Sequence, residues 1–141
     1  MKTAGRVLAL DLGRARVGVA LGDLDSTIAH PRPPLDGSDE RRLLHAIAAL
    51  CRDEEVGYVV LGLPLELDGR RGPAATKAIA FAGRLADFTG LEVELCDERL
   101  STVEASRRLS EAGRSGREQR ALIDGASAAI VLEAWLARRS R

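Results

Sequence analysis

Aromatic residues are scarce in this chain: two Phe, one Trp and one Tyr make up 3% of its 141 residues. That scarcity argues against a platform that holds single strands by stacking successive bases on rings. Cysteine is nearly absent too. Cys51 and Cys96 stand far apart, with no CxxC or Cys/His spacing, which argues against zinc and a disulfide framework and leaves both as small buried hydrophobes. There is no excess of either charge, since 21 Lys+Arg balance 21 Asp+Glu, so net charge alone points to no polyanionic or membrane partner. No apolar run is long enough to cross a bilayer. Met1 to Gly5 lead straight into a strand-like segment, without the features of a signal peptide, so a cytosolic protein is expected.

What is present is ordinary for a folded chain: 45% hydrophobic and 30% charged residues, on a length that suits one domain spanning residues 1–141. Arg6 to Leu12 is apolar nearly throughout and reads as a strand covered on both faces. Gly13 to Arg16 is a turn, and Val17 to Gly22 a second strand that closes a hairpin. Residues near Ser26 to His30 predict a third strand, ended by the Pro31-Arg32-Pro33-Pro34 cluster, which reads as a loop. A helix is predicted from about Asp39 to Glu55 with Ser38 as its N-cap, then a buried strand over Val56 to Leu63. Pro73 and Gly90 bracket the next helix. Leu91 to Leu95 is a short strand ending at Cys96-Asp97-Glu98-Arg99. Ser101 with Glu104 has capping-box spacing, Ala112 to Gly116 is a break, and a last helix runs from about Arg117 to Arg139. The order β-β-β-α-β-α-β-α-α implies an α/β fold, a mixed sheet flanked by helices.

Three carboxylates stand out against this frame. Asp11 interrupts the buried first strand, at a cost of several kcal/mol (roughly) unless its charge is compensated. Glu98 follows the end of a later strand, where open α/β sheets place ligands. Asp124 lies in the last helix, and the small residues Gly125 to Ala129 would let that helix approach the sheet. If the three converge they repel one another and call for a cation, and oxygen ligands without His or Cys suit Mg²⁺ or Mn²⁺. Each also has a plainer reading: Glu98 as an ion-pair partner of Arg99, Asp124 as a solvated helix residue, Asp11 as a cap on the Gly13 turn. Asp23, Asp68 and Asp97 are weaker candidates for a fourth ligand.

Four segments together resemble a known family. Leu8-Ala9-Leu10-Asp11-Leu12-Gly13 with Arg16-Val17-Gly18-Val19-Ala20 and Asp23 is similar to the opening motif of the YqgF (RuvX) family. Leu61-Gly62-Leu63-Pro64-Leu65, Asp68-Gly69 and Gly72-Pro73 resemble its central motif. Asp97 to Thr102 with Glu104-Ala105 resembles the third, and Ile123-Asp124 with Ala128-Ala129 and Leu132 the last. The resemblance implies a ribonuclease H-like fold with Asp11, Glu98 and Asp124 as catalytic metal ligands. It implies nucleolytic maturation of the 5′ end of precursor 16S rRNA, with Arg16, Arg70, Arg71 and Arg99 as phosphate contacts.

A structure-selective resolvase of four-way DNA junctions needs the same metal site, and a stable homodimer would favour it, because symmetric cutting of two strands takes two active sites. A sugar-kinase or actin-type ATPase also begins with an Asp-x-Gly turn, but needs two such domains. A non-catalytic nucleic-acid-binding module would leave the costly Asp11 without a role.

Overall fold

The computed structural model describes residues 5–98 and 116–139, the side chains of residues 116–124 excepted. Its elements are β1 (Arg6–Leu12), β2 (Arg16–Asp23), β3 (Ala29–Asp36), α1 (Glu40–Asp53), β4 (Val56–Leu63), α2 (Pro73–Thr89), β5 (Glu92–Asp97) and α3 (Gly116–Arg139). The strands form one five-stranded sheet in the order β3-β2-β1-β4-β5. β1 to β3 are an antiparallel meander, while β4 and β5 add parallel to β1 through helical crossovers, giving a mixed sheet.

β1 and β4 are the central strands, and their unbroken apolar runs are the consequence. Alternation along β1 divides two cores. Leu8 and Leu10 pack with Leu61, Ile47, Phe81 and Leu85 beneath α1 and α2. Val7 and Ala9 pack with Val60, Cys96, Leu132 and Trp135 beneath α3. Both cysteines are buried and free, in agreement with the sequence. Burial pushes the Cys51 thiol up to about 11, so it stays protonated at neutral pH.

Two sequence expectations are corrected. The proline cluster does not break the third strand but forms it: Pro31 lies opposite Ala20 and Arg32 opposite Val19. β3 is an edge strand, where a missing N–H can face away from the ladder. Three residues of β2, Val17 to Val19, span four of β3, Arg32 to Leu35, so a bulge absorbs the Pro33-Pro34 pair. The N-cap of α1 is Asp39, not Ser38; its carboxylate accepts from the Arg42 N–H at 3.2 Å, while the Ser38 N–H donates to Asp36. α2 begins at Pro73 and stops at Gly90, whose φ of 73° supplies the left-handed cap. The predicted helix from Ser101 and the break at 112–116 fall largely outside the described residues. Among the described residues no helix is long and apolar enough to cross a membrane.

α3 lies close to the sheet because small residues line its contact. A Cβ added at Gly125 would stand 3.1 Å from Pro31 Cβ and 3.2 Å from the Arg32 carbonyl oxygen. Gly125→Val is expected to lower stability by about 1–3 kcal/mol in urea unfolding, by wedging α3 away from β2 and β3. An unchanged midpoint would show that the helix does not depend on this approach.

Candidate active site

The site begins with the parity of β1. Counting from Val7 and Ala9, Asp11 falls on the α3 side, at the C-terminal end of the strand. Its neighbour on β2 is Gly18. On the other side, Leu10 pairs with Leu61, so the next rung brings Gly62 of β4 beside Asp11. Asp11 is thus flanked by glycines and keeps free space above the sheet. Gly13 closes the turn that follows, donating to the Arg16 carbonyl at 2.9 Å; a Cβ there would stand only 2.6 Å from that oxygen.

Glu98 arrives from β5. Leu63 pairs with Asp97, and the Glu98 N–H then donates to the Leu63 carbonyl at 3.2 Å, fixing the residue just past the ladder. Its side chain turns inward over β4. A Cβ at position 62 would collide with the Glu98 carboxylate, so glycine is required for the glutamate to lie there. Glu98 Oε2 is buried from solvent, and the side chain hydrogen-bonds with Asp11. Burial, Asp11 and the exposed Asp97 all push the Glu98 carboxyl well above the usual carboxylate range, burial most of all. A hydrogen bond between carboxyl groups requires a proton on one of them, so at neutral pH the pair holds a proton where two anions would repel.

Asp124 lies on α3 directly before Gly125, whose position is against Pro31, Arg32 and Val19. Val19 is paired with Leu10, one residue from Asp11. The Asp124 side chain lies outside the described residues, as does Arg99. Among the described residues no three His, Cys, Asp or Glu side chains gather into a cation cage. What the described part supplies is a pair of hard carboxylate donors over a glycine floor, a set that fits a divalent cation of the Mg²⁺ or Mn²⁺ type.

The remaining predicted residues spread along the same edge or away from it. Arg16 is exposed at the start of β2, opposite Asp36. Arg70 and Arg71 lie exposed in the loop after β4, with Arg70 tied to Asp68 at 2.7 Å. That ion pair engages Asp68 as a turn residue. Asp23 is excluded from the site: it ends β2 opposite Arg6, at the far end of β1 from Asp11. A cavity of about 340 Å³ lies at that far end, lined by Arg6, Asp23, His30, Arg32 and Glu54. Its arginines are bound to its acids, so it is a structural ion-pair network. Gly62 was not singled out from the sequence as a site residue, although a glycine inside a strand marks a close approach.

The family model for RuvX, described as Holliday junction resolvase, matches residues 5–138. A protein of Anaeromyxobacter sp. (strain Fw109-5), named "Putative pre-16S rRNA nuclease", is 50% identical over 131 residues, covering 93% of this chain and 96% of that one. One of the same name from Myxococcus xanthus is 42% identical over 131 residues, covering 93% and 87%. Among solved structures, RuvC of Thermus thermophilus in complex with a Holliday junction substrate matches with a TM-score of 0.58 at 17% identity, covering 96% and 95%. That likeness shows a shared ribonuclease H-like fold. By a match that runs nearly from end to end, this chain belongs to the RuvX family.

Proposed function

We propose that this chain, acting as one domain over residues 1–141, is a metal-dependent nuclease that hydrolyses phosphodiester bonds in precursor 16S rRNA. The observation that carries the reading is the Asp11–Glu98 carboxyl pair, buried over Gly62 at the carboxyl end of the sheet. A structural role does not call for two half-buried acids in contact, whereas a cation site does. The names of the relatives support the choice of substrate, and a substrate of that kind favours the cytoplasm as the site of action.

Asp11, Glu98 and Asp124 would hold Mg²⁺ or Mn²⁺. When bound, such an ion supplies Lewis acidity toward a phosphodiester and a means of activating water. The chain's own groups do the rest. Asp11 and Glu98 give up their shared proton and present oxygen donors. Gly18 and Gly62 keep side chains from the space above Asp11. Arg16, Arg70, Arg71 and Arg99 pair with phosphates and fix the register of the strand. The description of the family as resolvases makes a four-way DNA junction the second substrate to examine, and that reading further requires two copies of the chain.

End-labelled precursor 16S RNA and a four-way DNA junction, incubated side by side with Mg²⁺ or Mn²⁺, test the reading. The expected result is cation-dependent cutting of the RNA, lowered at least about a hundredfold in Asp11→Asn. Cutting of the junction alone would replace the substrate, and no cutting of either would refute the nuclease.

The raised Glu98 carboxyl also sets a pH dependence. In the metal-free fold it holds a proton that the unfolded chain releases near the ordinary glutamate value of 4.5. The folded state therefore binds more protons above that value, and stability falls as pH rises toward the raised one. In EDTA, Glu98→Gln is expected to be more stable than the parent at pH 8, by at least about 1 kcal/mol, with the gap closing near pH 4. A gap of the same size at both values in thermal or urea unfolding would contradict the shared proton.

A further inference from the structure

The described cations are mostly committed to acids of their own. Arg6 and Arg32 are tied to Glu54, Arg52 to Asp53, Arg70 to Asp68, and Arg84 to Glu40. Among the described residues Arg41 and Arg71 stand without an acid; Arg14 and Lys77, which likewise make no ion pair within 4.0 Å and no side-chain hydrogen bond there, differ in their shared position. They come from distant parts of the chain, Arg14 from the β1–β2 turn and Lys77 from the second turn of α2, yet they line the same cleft.

That cleft lies at the end of β1 on the α1 and α2 face, beside Leu12, the residue after Asp11, which itself falls on the opposite face. A cavity of about 290 Å³ is bounded by Leu12, Gly13, Arg14, Pro64, Ala74 and Lys77. It adjoins a smaller one of about 50 Å³ that shares Leu12, Gly13, Arg14 and Lys77 and reaches in to Glu40 and Phe81. The acid there is already matched, since both Glu40 oxygens accept from the Arg84 guanidinium at 2.6 and 2.9 Å, and Lys77 acts on it only at longer range. The apolar floor of Leu12, Pro64 and Ala74 leaves two cations as the polar character of the walls. The start of α2 adds no clear charge, because the Glu66 carboxylate lies over Gly72.

We infer that the cleft between Arg14 and Lys77 is a binding site for the sugar–phosphate backbone of the nucleic-acid strand entering or leaving the Asp11–Glu98 site. This rests on the nuclease reading above and adds to it a path for the strand, over the end of β1 and down toward α2. The apolar floor suits sugar edges, and two cations without an acid of their own in one cleft suit backbone phosphates. The contacts are to the backbone, so they set affinity and register and carry no base preference.

The test measures binding apart from cutting. Anisotropy of a labelled precursor 16S RNA fragment is followed against salt with Asp11→Asn protein in EDTA, so that the RNA stays intact. Adding Arg14→Ala and Lys77→Ala removes two phosphate contacts. The slope of log Kd against log salt should flatten by about 1.4 for single strands. A control that removes the same charge elsewhere, Arg41→Ala with Arg52→Ala on α1, should leave the slope unchanged. Equal flattening in both pairs would reduce the effect to net charge and overturn the site, as would no flattening in either. Unaltered melting of each variant shows that the fold is intact. In protein with Asp11 restored, the cleft pair should raise KM with kcat kept. If that parent cuts no nucleic acid the nuclease reading fails, whereas cutting with an unchanged KM and slope overturns the cleft alone.

Discussion

Two carboxyl groups pressed together at the end of a buried sheet set the terms for everything around them. As anions, Asp11 and Glu98 repel across a short distance in a medium that screens poorly, and burial alone already disfavours the charge on Glu98. The fold has one answer without a metal, a proton held between them. A bound cation would take the place of that proton. The arrangement costs stability in one state and would provide binding in the other, and it sits at the carboxyl end of the central strands, where open sheets place ligands.

The surroundings follow from that constraint. The pair needs room, and the sheet makes it with glycine: Gly18 opposite Asp11 on one side and Gly62 on the other, the latter replaced in space by the Glu98 carboxylate itself. The pair also needs a wall, and α3 provides one by running close over β2 and β3 on its small residues, which brings the helix position of Asp124 to the same end of the sheet. Larger side chains then take over along α3, with Leu132, Trp135 and Leu136 filling the core away from the site. Close approach at Gly125 and hydrophobic packing further along divide the described part of the helix between them.

Much of this was legible in the sequence, and the exceptions have physical causes. β1 and β4 were readable residue for residue, because a strand covered on both faces must be apolar throughout. α2 was equally clear, since Pro73 and Gly90 punctuate it chemically. β3 was not, because a proline cluster is forbidden in a central strand and tolerated at an edge, and edge position belongs to the sheet and not to the local sequence. Asp11 announced itself as an acid inside an apolar strand. Glu98 carried a weaker signal, its place just past a strand end: its meeting with Asp11 depends on β4 and β5 adding parallel to β1 in register, which local sequence does not encode. Asp23, part of the same motif as Asp11, fell at the other end of the hairpin, as antiparallel pairing demands of residues so spaced.

The most direct measurement of the central claim is calorimetry of Mn²⁺ binding at pH 7 in buffers of different ionisation enthalpy, for the parent and for Glu98→Gln. If Asp11 and Glu98 hold a proton that the cation displaces, the parent releases about one proton per ion bound. The variant should then bind more weakly and release none. Binding by the parent with no proton released, or with equal affinity in Glu98→Gln, would contradict the account.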